Sequence, residues 1–250
     1  MKSLLKRFFN VLGYSVTKIA EVPSRSSEYD EFIELYEFCK PYTMTSIERM
    51  FALYKSIEYV VKNKIPGDFV ECGVWKGGSA MLIALTLLKF NQSSRKIYLY
   101  DTFEGMSNPT EDDVDIHLRK ASDQLLENSQ EKENSIWCLA AYESVLQNVL
   151  TTKYPSDNFK LIKGMVEETI PGNNPGQLAL LRLDTDWYAS TKHELSHLYP
   201  LLADKGVLII DDYGHWQGAR KAVDEYILSN QLPILLNRVD YTGRVAVKVS

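Results

Sequence analysis

Apolar residues come in short bursts along this chain, separated by polar turns and by longer amphipathic stretches. The runs Asp68 to Gly73, Lys96 to Asp101, Phe159 to Lys163, Leu178 to Asp184 and Gly206 to Asp212 have the length of strands and are bounded by turn or polar residues. Between them the pattern lengthens. Ser79 to Phe90 is apolar enough to be a buried helix, Ser190 to Leu202 is predicted as a second, and a third runs from Gly218 to about Ser229. Strands alternating with helices predict an α/β fold, a mostly parallel sheet covered by helices on both faces. Ile234 to Leu236 with Arg244 to Val249 supply a closing antiparallel pair.

Two stretches break this rhythm. Residues 20 to 34 are polar and turn-rich, which predicts a linker ahead of a helical preamble from about Asp30 to Lys64, stopped by Pro66-Gly67. The expected division is therefore an N-terminal segment over 1–34 and a main domain over 35–250. Inside that domain, Thr102 to Thr152 opens with Glu104, Glu111, Asp112, Asp113 and Asp115 and is too long for a plain connection. Helical segments are expected there around Leu118 to Leu126 and Ser135 to Leu150. The insertion is predicted as a lid or binding loop, with a solvated surface excursion as the alternative.

Composition narrows the partners. With 45% hydrophobic and 24% charged residues in 250, the chain can bury one substantial core. Its net charge of -5 argues against nucleic acid, whose phosphates need a concentrated basic surface. Cys39, Cys72 and Cys138 are odd in number and form no CxxC pair, which fits a reducing cytoplasm better than a disulfide framework or a zinc knuckle. Residues 1 to 19 mix Lys2, Lys6 and Arg7 with apolar side chains and show no cleavage site. Such a segment can lie peripherally on the inner face of a membrane, or dock as a helix or fray. The helical preamble offers a surface for a homo-oligomer.

The candidate chemistry sits at the ends of the apolar runs, and parallel strands bring those ends to one edge. Glu71-Cys-Gly73-Val74-Trp75-Lys-Gly77-Gly78-Ser79 turns from strand to helix through three glycines, where backbone can approach a ligand and Ser79 can cap the helix. Its spacing differs from the GxGxxG of dinucleotide sites. Glu71 can attract a cationic ligand. Asp101, followed by Thr102, ends the next strand where a carboxylate can accept from both ribose hydroxyls; local turn formation is the simpler role for it. Asp184-Thr-Asp186 and Asp211-Asp212 place four carboxylates at two strand ends, a repulsion that a divalent cation relieves. His215, three residues past Asp212, is within reach of proton transfer or substrate contact, whereas His193 and His197 lack an HExxH setting and are expected to be solvated or packed.

Taken together, Glu71 to Ser79, Tyr100-Asp-Thr-Phe-Glu-Gly105, Leu183-Asp-Thr-Asp-Trp-Tyr-Ala-Ser-Thr191 and Asp211-Asp-Tyr-Gly214, with Trp216, Gly218, Arg220 and the segment Pro41-Tyr-Thr-Met-Thr45, resemble the macrocin O-methyltransferase family, the TylF-like sugar methyltransferases. The resemblance covers about residues 40 to 249. It implies a class I methyltransferase sheet that binds S-adenosyl-L-methionine and uses Mg²⁺ to methylate a sugar hydroxyl in natural-product or glycan assembly. By similarity, Glu71, Gly73, Val74, Trp75, Gly77, Gly78 and Ser79 surround the methionine part of the cofactor, and Asp101 and Thr102 the ribose. Asp184, Asp211 and Asp212 match the family's metal ligands and Asp186 its general base. Three other readings stay open on the residues: a metal-dependent glycosyltransferase using Asp-x-Asp, a non-catalytic binding protein on the same fold, and a catechol acceptor in place of a sugar.

Overall fold

The computed structural model describes residues 27–173 and 175–249. The chain divides into two compact units, Met1–Glu34 and Leu35–Ser250. The segment of residues 1 to 19, read as able to dock, fray or lie on a membrane, lies outside the described residues. No described helix is long and apolar enough to cross a membrane.

Helix α1 (Ser27–Cys39) begins within the stretch expected to be a linker. Asp30 and Glu31 near its start are polar but suit a helix N-terminus, so a run that resembles a turn in composition is helical here. In the second unit, helix α2 (Ile47–Lys62) starts at Ser46, whose Oγ accepts the backbone N–H of Arg49 at 3.2 Å. Then follow β1 (Asp68–Cys72), α3 (Gly78–Lys89) and β2 (Ile97–Asp101). The insertion carries α4 (Ala121–Glu127) and α5 (Tyr142–Leu150). The second half comprises β3 (Phe159–Lys163), α6 (Val166–Thr169), β4 (Leu178–Leu183), α7 (Tyr188–Leu198), β5 (Leu202–Ile210), α8 (Gln217–Ser229), β6 (Asn237–Arg238) and β7 (Arg244–Val247).

The strands form one sheet in the order β3-β2-β1-β4-β5-β7-β6, with β1 to β5 parallel and β7 antiparallel to both neighbours. Chain order runs outward from β1 through β2 to β3 and then restarts on its other side at β4, so the crevice beyond the ends of β1 and β4 is the switch point where an open α/β sheet binds ligands. Central position explains composition. Every residue of β4 is buried, which is why it reads as Leu-Ala-Leu-Leu-Arg-Leu rather than as an alternating strand.

Several details differ from the sequence-based expectation, among them β5, which begins at Leu202 rather than Gly206, and α5, which begins at Tyr142 rather than Ser135. The closing pair forms at Asn237–Arg238 instead of Ile234 to Leu236, because the turn sets the register. Asp240 Oδ1 accepts the N–H groups of Thr242 and Gly243 at 2.9 and 2.7 Å, and pairing starts beside that turn while Ile234 and Leu236 pack on the core. Helix α7 stops at Leu198 and a short 3₁₀ turn holds Pro200, which cannot continue the helix. The four-residue α6 is too short to leave a periodic signal.

Candidate active site

The hydrogen-bond ladder continues one residue past each central strand. Gly73 N–H donates to Tyr100 O, Asp184 N–H to Cys72 O and Asp211 N–H to Leu183 O, all at 2.9 Å. Three loops therefore leave the sheet at one level. Gly73 has φ +81°, and a Cβ there would lie 1.9 Å from the Asp184 carbonyl oxygen, so only glycine allows the first and second loops to touch. The loops open onto a cavity of about 420 Å³ lined by Gly73, Val74, Trp75, Gly78, Ser79, Asp101 and Thr102 on one side and Asp184, Asp186, Asp211, Asp212 and His215 on the other. Of the residues singled out in the sequence, Gly77 alone lies off the lining. It sits at the N-cap of α3 with φ +91° and turns the chain into the helix.

Arg182 dominates the electrostatics. The last arginine of an otherwise apolar strand, it is 2% exposed and donates to Glu71 Oε1 (2.6 Å), Asp184 Oδ2 (2.7 Å) and Asp211 Oδ1 (2.7 Å). Burial opposes its charge, but the three carboxylates outweigh that and hold its pKa well above the usual value. Arg49, from α2, pairs with the other oxygen of Asp211 and reaches Asp240 at 3.1 Å. Neither arginine was singled out by the sequence reading, although a lone arginine inside the run Leu178 to Leu183 is a signal, since a buried guanidinium needs carboxylates.

These pairs regroup the acidic residues. Among the described residues, Asp184, Asp186 and Asp212 form a set whose oxygens all lie within 4.8 Å of one another, the one such set that could hold a metal. Asp211, expected beside Asp184 and Asp212 as a ligand, instead has both oxygens engaged by arginines. Asp186, expected as a base, stands within the set. Desolvation raises the carboxyls of Asp184 and Asp212 well above the usual range and that of Asp186 to about 7. Asp212 Oδ2 is buried without a hydrogen-bond partner among the described residues. Hard carboxylate donors, gathered closely and with one oxygen left over, fit a divalent cation.

On the cofactor side, Glu71 is 1% exposed, its Oε2 is buried without a hydrogen-bond partner among the described residues, and burial lifts its carboxyl to about 7. An orphaned carboxylate oxygen at the glycine turn fits a cationic donor group such as an ammonium. Asp101 is more occupied than expected. Its Oδ2 accepts Val74 N–H (2.7 Å) and Trp75 N–H (3.2 Å), and its Oδ1 accepts Phe103 N–H (2.7 Å), so it ties the glycine turn to the loop after β2. His215 lines the cavity, edge-on to Trp216 and Tyr241, with Nδ1 buried and unpartnered among the described residues and its pKa lowered by burial.

The insertion is built into the site. Helices α7 and α8 have no cap of their own, and the insertion supplies both: Asp113 Oδ1 accepts Tyr188 N–H at 2.7 Å and Val114 O accepts Gln217 N–H at 2.9 Å. Trp187 Nε1 donates to Ser107 O (3.0 Å), and Trp75 Nε1 to Glu133 O (2.8 Å). His193 and His197 are distant from this chemistry, bonded through ring nitrogens to the carbonyls of Ile170 and His193.

A family model described as macrocin-O-methyltransferase (TylF) matches residues 37–248. The chain belongs to that family. It is 32% identical over 202 residues to the 8-demethyl-8-(2,3-dimethoxy-alpha-L-rhamnosyl)-tetracenomycin-C 4'-O-methyltransferase of Streptomyces olivaceus, covering 81% of this chain and 74% of that protein. Against the demethyldecarbamoylnovobiocin O-methyltransferase of Streptomyces niveus, identity is 31% over 202 residues with the same 81% and 74% coverage. The solved O-methyltransferase NovP matches with a TM-score of 0.72 at 28% identity, over 84% of this chain and 83% of that one. This macrocin O-methyltransferase family member is thus an S-adenosylmethionine-dependent O-methyltransferase with the class I fold. The glycosyltransferase and non-catalytic readings of its acidic pairs are thereby set aside.

Proposed function

We propose that the enzyme methylates a hydroxyl of a sugar-bearing acceptor in natural-product or glycan biosynthesis and that it does so with a divalent cation such as Mg²⁺. One observation carries this reading: the Asp184, Asp186 and Asp212 oxygens converge in the same cavity as the glycine turn. The relatives named above support it, one named for a rhamnosyl-bearing tetracenomycin C and the other for demethyldecarbamoylnovobiocin.

S-adenosylmethionine supplies a methyl group on a sulfonium, and Glu71 with the turn from Gly73 to Gly78 and Ser79 would hold its methionine part. Asp101 and Thr102 would contact its ribose, Asp101 doing so while it anchors the turn. A bound divalent cation stabilises the anionic form of a hydroxyl at neutral pH. Asp184 and Asp212 would hold it, and Asp211 can join only by exchanging Arg49. Asp186 takes the proton from the acceptor hydroxyl, a role that suits a carboxyl raised to about 7. His215, a residue of the cavity wall, contacts the acceptor. The aromatic walls and the insertion keep water from the reacting atoms.

Mass spectrometry of glycosides and glycan extracts incubated with enzyme, Mg²⁺ and trideuteromethyl-labelled donor tests the proposal. Label should appear on a sugar hydroxyl and disappear with EDTA. Label confined to catechols would sink the sugar assignment, and undiminished labelling in EDTA the metal.

A further inference from the structure

Helix α7 buries a carboxyl for which the methyl transfer has no use. Glu194 is fully buried two turns into the helix, a position where leucine would pack without the cost of desolvating an acid. Its Oε1 accepts the hydroxyl of Thr185 at 2.9 Å, while its Oε2 is buried without a hydrogen-bond partner among the described residues. Burial pushes the carboxyl well above its usual range.

Thr185 is the residue between Asp184 and Asp186. Besides its bond to Glu194, its carbonyl accepts Trp187 N–H at 2.8 Å and the Ser190 hydroxyl at 3.4 Å. The preceding residue, Asp184, is fixed to β1 through its N–H on Cys72 O, and the following one, Asp186, enters the left-handed region at φ +67°. A loop so anchored has little freedom, and the Thr185 side chain on Glu194 adds to the Ser190 hydroxyl as a tether to α7. We propose that Glu194 is a positioning residue that, through the Thr185 hydroxyl, fixes the loop that presents Asp184 to a divalent cation and Asp186 beside it. The inference rests on the metal reading given above. Groups in this outer position, bonded to the segment that carries the ligands, commonly change metal affinity by 10- to 100-fold when removed.

The test is Mn²⁺ binding to the full chain followed by electron paramagnetic resonance, with S-adenosylhomocysteine affinity measured in parallel by calorimetry. Glu194→Leu and Thr185→Val should weaken Mn²⁺ binding by roughly 10-fold or more, whereas Glu194→Gln, which keeps an acceptor oxygen, and Thr185→Ser should stay within about 3-fold of the parent. S-adenosylhomocysteine affinity should hold in all four, which separates positioning from a general loss of structure. Thr185→Val is nearly isosteric and keeps the test decisive if Glu194→Leu does not fold. A parent enzyme that binds no Mn²⁺ overturns this inference together with the metal reading. A parent that binds Mn²⁺, with Thr185→Val binding it equally well, overturns the inference alone; so does a loss in Glu194→Gln as large as in Glu194→Leu.

Discussion

Asp186 satisfies two conditions that rarely coincide in a surface loop. Its backbone is left-handed, a conformation aspartate tolerates better than most residues but at some cost, and its carboxyl is half-buried among two others. Replacing Asp186 by Asn keeps shape and backbone preference while removing the proton acceptor. Turnover on the acceptor identified by labelling should fall by roughly 10² to 10⁴, the range for loss of a general base, with S-adenosylhomocysteine affinity unchanged. Parent-like turnover would remove Asp186 from the chemistry. At this scale the sequence marked the strand-end carboxylates that line the cavity and was silent about how they are shared. Asp184, Asp186, Asp211 and Asp212 were all visible as strand-end acids, but their grouping depends on Arg49, which comes from a helix 162 residues upstream of Asp211. No local pattern encodes that contact.

Elements were legible wherever apolar periodicity reports burial, and the five parallel strands follow from it directly. What the pattern does not carry is how helix ends are satisfied across long sequence separations. Helices α7 and α8 start on Trp187 and Trp216, poor capping residues, and their starts are explained only once residues 113 and 114 of the insertion are seen to accept Tyr188 and Gln217 N–H. Asp113 also accepts the N–H and hydroxyl of Thr110 at 2.6 and 2.8 Å, and it packs where a side chain at Gly218 would have to go. The insertion expected as a lid is, at its base, structural support for the two helices beside the acidic residues. Asp113→Ala should therefore cost about 1–3 kcal/mol and lower Tm by several degrees. Asp112→Ala removes an exposed pair with Lys221 and should change Tm by about 1 °C or less. Equal shifts in a thermal melt would show that the insertion does not support the helices.

Across the whole molecule, the chain's net charge of -5 matters less than how unevenly charge is gathered at the switch point. Glu71, Asp184, Asp186, Asp211 and Asp212 surround Arg49 and Arg182, so ionisation of all five acids would leave three negative charges uncompensated. Folding therefore favours protons on the site. Glu71 and Asp186, with usual values of 4.5 and 3.8, both move to about 7, so the stability they contribute is complete below their unfolded values and is lost as pH rises through about 7. Acids shifted the other way, such as Asp240, are already ionised in both states by pH 5 and do not mask the trend. In EDTA, Tm should fall on the order of 5 °C between pH 5 and pH 8. A divalent cation competes with those protons, so saturating Mg²⁺ should raise Tm more at pH 8 than at pH 6. Differential scanning calorimetry at both pH values decides the matter, because a Mg²⁺ stabilisation equal at pH 6 and pH 8 would mean that the ion binds away from the protonated carboxyls.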